Sequence, residues 1–419
     1  MAAALGVLVS CGSVKSGEEV VAASRDSKVV VAYVTSWSEV MPDPQYMTHI
    51  NYAFGHVNES FNGVKIDNEE RLRQIVDLRK QKPELKVLLS IGGWGSGRFS
   101  EMAANDEYRR AFAADCARVV KEFALDGIDI DWEYPTSSMA NISSSPDDTE
   151  NFTLLMQDIR AAIGNEKELT LATVASARYI DFKAILPSVD FVNIMAYDMA
   201  SAPKHHSALY PSGHSGDITS DGAVTAHLKA GVPPSKLVMG MPFYGRGGDG
   251  YPSFQDYNKV GNTDTQYTEK WDEVAQVPYL ADKNDTLVFG FENPRSLAIK
   301  CQYILDKDLL GGMYWDYSGD NEQGDLRRTV AENLLGKPHK AKVLVLTERG
   351  GQHGGFTDAG LRWLAAEGAK GNFSITEINN ARNITEAYLS QFSLVIQLDF
   401  PPYTWPKEAE DAFVKYIEE

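Results

Sequence analysis

Eight short apolar runs rich in β-branched residues recur along residues 28–317, and helical patterns separate most of them. They are Lys28–Trp37, His49–Val57, Lys86–Trp94, Gly127–Tyr134, Leu169–Ser176, Phe191–Met199, Lys236–Arg246 and Gly311–Tyr317. Several are nearly continuous (VVVAYV, KVLLSIGG, FVNIMAY), the pattern of parallel strands buried on both faces. The segments NEERLRQIVDLRK from Asn68, YRRAFAADCARVVKEFA from Tyr108 and TENFTLLMQDIRAAIG from Thr149 read as intervening helices. Eight strands alternating with helices predict an α/β fold, a (β/α)8 TIM barrel over residues 28–336. A doubly wound sheet is the alternative, but it wants a Gly-rich phosphate loop after the first strand. This chain has Thr35-Ser36-Trp37 there. The barrel is favoured.

Polar and aromatic residues gather where these strands end: Trp37, Trp94, Glu133, Tyr197, Asp198, Tyr244, Arg246, Trp315 and Asp316. The C-terminal rim of a barrel is where active sites are built, and so many at one end outweigh the reading of each aromatic as core. Charge narrows the ligand. Lys plus Arg number 40 against 58 Asp plus Glu, a net charge of −18. Such acidity argues against a nucleic-acid partner, whose phosphates need a basic face. Three cysteines exclude a disulfide scaffold, no Cys/His spacing reads as zinc, and no metal or cofactor is expected. Cys116 and Cys301 lie in helical patterns and read as small buried residues.

The fourth strand carries the chemistry. In Gly127-Ile128-Asp129-Ile130-Asp131-Trp132-Glu133-Tyr134-Pro135, alternation sends Asp129, Asp131 and Glu133 to one face, roughly 7 Å apart in successive pairs. Ile128, Ile130 and Trp132 face the helices. Carboxyls in a barrel interior are desolvated and repel one another, which raises at least one pKa. The arrangement makes sense if one must stay protonated as a general acid, and Glu133, nearest the rim, is the one a substrate reaches. A divalent cation is a poor alternative, because the strand spacing stops neighbouring carboxyls from sharing an ion. A solvated edge strand is a second, opposed by the flanking Ile, Trp and Tyr.

The run DGIDIDWEYP resembles the DxxDxDxE signature of family 18 glycoside hydrolases, the chitinase family. Ser90-Ile91-Gly92-Gly93-Trp94, Met195-Ala196-Tyr197-Asp198, Gly240-Met241-Pro242-Phe243-Tyr244-Gly245-Arg246 and Trp315-Asp316 agree with it in content and order. The resemblance implies substrate-assisted hydrolysis of β-1,4 N-acetylglucosamine (GlcNAc) linkages with retention, through an oxazolinium ion. It implies that Glu133 is the proton donor, that Asp131 orients the acetamide, and that Asp129 shares a proton along the row. Tyr197 then bonds the acetamide carbonyl with Asp198 beside it, and Trp315 floors the reacting sugar. Trp37, Trp94, Tyr134, Met195, Tyr244 and Arg246 complete the implied substrate-binding set. The implied partners are chitin, chitooligosaccharides or other GlcNAc-containing glycans. An endo-β-N-acetylglucosaminidase of N-glycan cores and a non-catalytic carbohydrate-binding surface lipoprotein are the alternatives. Intact Glu133 disfavours the second.

Between the seventh and eighth strands lie 64 residues, Gly247–Leu310, which must also supply a helix over Pro294–Lys307. The cleft-deepening insertion of some chitinases is therefore expected to be reduced or absent, leaving an open cleft suited to soluble oligosaccharides. The loop carrying Lys204, His205, His206 and His214 reads as an exposed cleft wall, because no acid or Cys completes a metal site.

At the N-terminus, apolar Ala2–Ser10 runs into Cys11, and Leu8-Val9-Ser10-Cys11 resembles the lipobox of bacterial lipoproteins, although no Lys or Arg precedes it. Residues 1–27 are expected to be a signal peptide and polar tether of an exported lipoprotein, anchored to the membrane or cell surface by lipid at Cys11. Composition changes again at Gly336–Lys340. Residues 341–419 read as three strands and three helices, a partial flavodoxin-like open α/β unit. VLVLTERGGQHGGFTDAGLRWLAAEG resembles the start of a ThuA-like domain, related in fold to class I glutamine amidotransferases. That unit stops inside an amphipathic helix and is expected to be truncated, and the loop with His353 reads as a glycine-held turn. Every residue given a chemical role lies before Gly336, so a chain ending there should keep its specific activity on short soluble substrates. Loss of activity in that shortened chain, still folded by circular dichroism, would place part of the cleft in the C-terminal unit.

Overall fold

The computed structural model describes residues 28–248, 251–260, 266–336, 341–347, 354–368, 373–382, 384–389, 392–398 and 405–418. The Cys11 segment, residues 337–340 of the expected linker and the His353 loop lie outside the described residues. Eight parallel strands close into a barrel: β1 (Val29–Thr35), β2 (His49–Val57), β4 (Lys86–Gly92), β5 (Gly127–Asp131), β6 (Glu168–Val174), β7 (Phe191–Met195), β8 (Leu237–Pro242) and β14 (Gly311–Trp315). Their order is β1-β14-β8-β7-β6-β5-β4-β2, and pairing of β1 with β2 closes the ring. A short β3 (Val64–Ile66) forms an antiparallel flap on β2. Around the barrel run α1 (Glu69–Val76), α2 (Phe99–Ala104), α3 (Asp106–Glu122), α4 (Asp148–Ile163), α5 (Phe182–Ile185), α6 (Ser220–Lys229), α7 (Pro294–Asp306) and α8 (Asp325–Leu334). Among the described residues no helix is long and apolar enough to cross a membrane.

Side-chain alternation sorts the core into two shells. Val30, Ala32 and Val34 of β1, and Ile128 and Ile130 of β5, join the large cluster between strands and helices. Val31 and Tyr33 point inward, with Phe191, Val238 and Met313, into a small barrel interior. The remaining inward positions of β5 belong to Asp129 and Asp131, both buried. Two glycines at the end of β4 make room for this strand and for Phe54 of β2. A Cβ at Gly92 (φ +131°) would lie 2.0 Å from the Asp131 carbonyl oxygen, and one at Gly93 (φ +92°) would strike the Phe54 ring at 2.7 Å. Gly92 is thus required by backbone packing beside the carboxylates, and Gly93 by the Phe54 ring of β2.

The expected seventh strand, Lys236–Arg246, is two strands. Pro242 has no N–H to continue the ladder, and β9 (Tyr244–Gly247) leaves the barrel for a second sheet. There it joins β10 (Gln255–Asp256), β11 (Thr268–Asp272), β12 (Val277–Ala281) and β13 (Leu287–Gly290) in the order β10-β9-β13-β12-β11. The insertion is therefore present, as a small antiparallel sheet with no α-helix among its described residues. In the C-terminal segment, β15 (Ala341–Thr347), α9 (Gly354–Glu367), β16 (Phe373–Ile378), α10 (Glu386–Leu389), β17 (Leu394–Leu398) and α11 (Lys407–Glu418) follow. Their strands form a parallel sheet in the order β16-β15-β17.

A buried ion pair ties the insert to the barrel. The Lys300 ammonium on α7 donates to Glu292, just after β13, and to the Ser207 carbonyl. The Ser207 hydroxyl donates to the same carboxylate at 2.5 Å. Both charged side chains are fully buried. Removing one partner of such a pair strands the other charge. Lys300→Met should cost about 3–5 kcal/mol in urea unfolding, and adding Glu292→Gln should return most of it. Equal loss in the single and double variants would mean that the pair contributes through packing alone.

Candidate active site

Asp129 sits at the centre of the barrel as the acceptor of four hydrogen bonds. Strand register places Ser90 of β4 and Thr170 of β6 on either side of it. Their hydroxyls donate at 2.8 and 2.6 Å, the Tyr33 hydroxyl from β1 at 2.8 Å, and the Asn193 amide from β7 at 3.3 Å. Burial pushes the Asp129 carboxyl above its ordinary pKa, while these donors oppose the shift. Asp131, two residues nearer the rim, has no such support. Its Oδ1 is buried without a hydrogen-bond partner. Burial and the flanking charges of Glu133 and Asp129 hold its pKa well above the ordinary carboxyl range.

Glu133 comes next, partly exposed to the cleft. Burial pushes its pKa up to about 7, with Asp198 adding to the rise and a hydrogen bond from Tyr134 opposing it. Asp198 goes the opposite way. Although burial works against its charge, Arg246 clamps it bidentately at 2.7 and 2.6 Å, and its pKa falls well below the usual carboxylate range. His206 Nδ1 lies 3.5 Å from the same carboxylate. Two carboxyls facing one cavity thus have their pKa values pushed in opposite directions, the separation expected of an acid beside a fixed charge.

That cavity encloses about 710 Å³ at the C-terminal end of the barrel. Of the twelve residues in the implied catalytic and substrate-binding set, eleven line it: Asp131, Glu133, Tyr197, Trp37, Trp94, Tyr134, Met195, Asp198, Tyr244, Arg246 and Trp315; Asp316, also noted at the strand ends, is buried and is not among the lining residues. The twelfth, Asp129, lies beneath the floor, fully buried. Trp315 stacks on Phe54 (5.5 Å, 21°) and packs against Tyr33 and Trp37. Tyr134 stacks on Tyr179 (5.5 Å, 14°) with Trp94 at its edge. Trp37 and Trp94 are 64% and 61% exposed, which leaves two large apolar rings free to meet a ligand. The tyrosines are buried more deeply. Tyr244 is packed under Phe254 (4.7 Å, 26°) and edge-on to Tyr197.

The sequence model of Glycosyl hydrolases family 18 matches residues 29–320. The chain belongs to that family. As a family 18 glycoside hydrolase it is of the chitinase type: it is 30% identical to chitinase A1 of Niallia circulans over 72% of this chain, and 31% identical to chitotriosidase-1 of Mus musculus over 70%. The aligned regions span 58% of the first relative's length and 74% of the second's. Among solved structures, a family 18 N-acetylglucosaminidase from Paenibacillus barengoltzii is similar at 32% identity and TM-score 0.67, covering 73% of this chain and 99% of that one. The Ostrinia furnacalis Group IV chitinase solved with allosamidin is similar at 28% identity and TM-score 0.67, covering 74% and 100%.

For this family 18 chain the sequence reading missed Tyr33, Phe54, Met139, Arg178, Tyr179 and Phe254, all of which line the cavity. Tyr33 and Phe54 were legible as inward positions of the first two strands. Arg178, Tyr179 and Phe254 sit on loops, where no periodicity marks a face. The histidine loop needs correction. His205 and His206 are buried, not exposed. His205 Nε2 lies 3.2 Å from Asp272 of the insert, and burial lowers its pKa to about 4, so the ring is a neutral link between loop and insert. His206 backs Asp198. Among the described residues, no three His, Cys, Asp or Glu side chains converge as a metal site.

The direction of the Glu133 shift fixes a pH profile. A proton donor whose pKa is raised to about 7 is loaded below that pH and empties above it. Therefore kcat/KM should fall about tenfold per pH unit on an alkaline limb that begins near pH 7. A limb that begins near the ordinary glutamate value would remove Glu133 as the acid.

Proposed function

We propose that this glycoside hydrolase cleaves β-1,4 GlcNAc linkages of chitin or chitooligosaccharides with retention, using the substrate's own 2-acetamido group as the nucleophile. One observation carries the reading: among the described carboxyls lining the cavity, none is a free carboxylate suited to attack. Glu133 has its pKa raised to about 7, and burial pushes that of Asp131 well above the ordinary carboxyl range. Asp198 is ionised but both its oxygens are bound by Arg246. An ordinary retaining glycosidase needs such a nucleophile, whereas this family is an exception in which the sugar provides it.

In the proposed reaction Glu133 protonates the glycosidic oxygen as the acetamide oxygen closes on the anomeric carbon, and the resulting Glu133 carboxylate then activates water. The orphaned Asp131 Oδ1 is the acceptor available to the acetamide N–H. As positive charge develops on the oxazolinium ring, Asp131 takes up negative charge and its proton passes towards Asp129. Tyr197 bonds the acetamide carbonyl, and Trp315, wedged by Phe54 and Tyr33, gives the sugar's C–H face a rigid floor. Trp37, Trp94 and Tyr134 meet neighbouring units.

Further proposals concern the ends of the chain. The order β16-β15-β17 is the 2-1-3 order with which a flavodoxin-like sheet begins, which supports a partial ThuA-like domain over 341–419. The Leu8–Cys11 sequence supports an exported protein with a lipid anchor.

Glu133→Gln should lower kcat at least about 10²-fold while sugar binding survives. With the intact chain, early NMR spectra of the products should show the β anomer, and a thiazoline analogue of the oxazolinium ion should inhibit far more tightly than GlcNAc. The α anomer appearing first would overturn the mechanism. Faster turnover of a high-mannose N-glycopeptide than of an aryl chitobioside would move the substrate to N-glycan cores.

A further inference from the structure

Of the charged side chains lining the cavity, Arg178 is the one whose charge nothing among the described residues balances. The others are Asp131, Glu133, Asp198 and Arg246. Asp198 and Arg246 cancel as a bidentate pair. Arg178, on the loop after β6, is exposed; its Nε donates to Ser176 Oγ at 3.0 Å and its Cζ lies 5.4 Å from the Tyr179 ring centre. It forms no ion pair among the described residues, and its two terminal nitrogens are left for a ligand. The protein as a whole carries 18 excess negative charges, so an unpaired guanidinium at the mouth of its substrate cleft stands against the general trend.

Ring contacts locate this charge relative to the reaction. Arg178 borders Tyr179, Tyr179 stacks on Tyr134, and Tyr134 hydrogen-bonds Glu133. Trp94 meets the same tyrosine. Trp315 belongs to a different cluster, with Tyr33, Trp37 and Phe54. On the function proposed above, the reacting sugar lies over Trp315 and Glu133 faces the oxygen of the bond to be cut. The Tyr134–Tyr179–Arg178 wall then meets the departing part of the substrate.

We propose that Arg178 is a specificity residue that reads the charge of the departing sugars: it favours units bearing a carboxylate and disfavours units with a free ammonium in place of the acetamide. GlcNAc itself is neutral, so this selectivity lies outside the chemistry of bond cleavage and rests on the function reading only for its position. An exposed, flexible arginine discriminates modestly, and salt screens it.

The test compares three tetrasaccharides whose departing units are fully N-acetylated, de-N-acetylated, or N-acetylated and oxidised to a carboxylate at C6. Measured with the full chain at about pH 5, where Glu133 keeps its proton, kcat/KM should rank carboxylated, then neutral, then ammonium-bearing. Each step should be about threefold to tenfold at low salt and shrink at about 0.5 M salt. Arg178→Gln should flatten the ranking, and Arg178→Glu should reverse it. Ratios that are the same in all three proteins overturn the assignment of Arg178 while leaving the proposed function standing. Failure of the unaltered chain to cut any of the three overturns both.

Discussion

The barrel is organised around a charge that it would ordinarily exclude. Burying a carboxyl without partners costs several kcal/mol, so an aspartate at the centre of a barrel survives only if its neighbours are chosen for it. Asp129 meets that condition through four donors from four different strands. Because Ser90 and Thr170 reach it through strand register, a slip of one residue in β4 or in β6 would turn that strand's hydroxyl to the wrong face. The satisfied Asp129 lets the row above it stay unsatisfied. Asp131 Oδ1 is orphaned, and burial together with Asp198 raises the Glu133 pKa.

A second layer of polar pairing fixes the walls. Arg246 is carried by β9, a strand of the insert, whereas Asp198 follows barrel strand β7. Their bidentate pair therefore seals insert to barrel beside the acid, and the neutral His205 with Asp272, together with buried Lys300 and Glu292, repeats the link farther out. The reduced insert is a structural part of the site as well as a rim: without β9 the charge on Asp198 would lose its bidentate partner and keep only His206.

The aromatic residues divide in the same way. The Trp315 group is set by strand ends and is rigid through ring-on-ring packing inside the barrel mouth. The Tyr134–Tyr179 group depends on loops, and its outermost member, Arg178, faces solvent. One aromatic group is thus set by strand ends and the other by loops, the division expected where a rigid scaffold carries variable connections.

How much of this was legible follows from what period-2 alternation can encode. The faces of β5 were readable because Ile128, Ile130 and Trp132 alternate with Asp129, Asp131 and Glu133, and strand geometry leaves no other assignment. The eight-strand count followed from the same local rule, and the eleven site residues at one rim followed from strand ends together with the family resemblance. Contacts across the barrel did not. Nothing in the spacing of Tyr33 and Asn193 says that both reach Asp129, which lies 96 residues from one and 64 from the other. The break at Pro242 was visible only as a proline; that the chain then leaves to build a second sheet depends on partners up to Gly290. The buried histidines read as exposed because their partners, Asp198 and Asp272, lie in other elements. Sequence alone determined which residues face inward and at which end they sit, because alternation and strand direction are local properties. Only the tertiary structure decided which carboxyl is satisfied, which is clamped and which keeps its proton, because desolvation and pairing are set by side chains far apart in the chain.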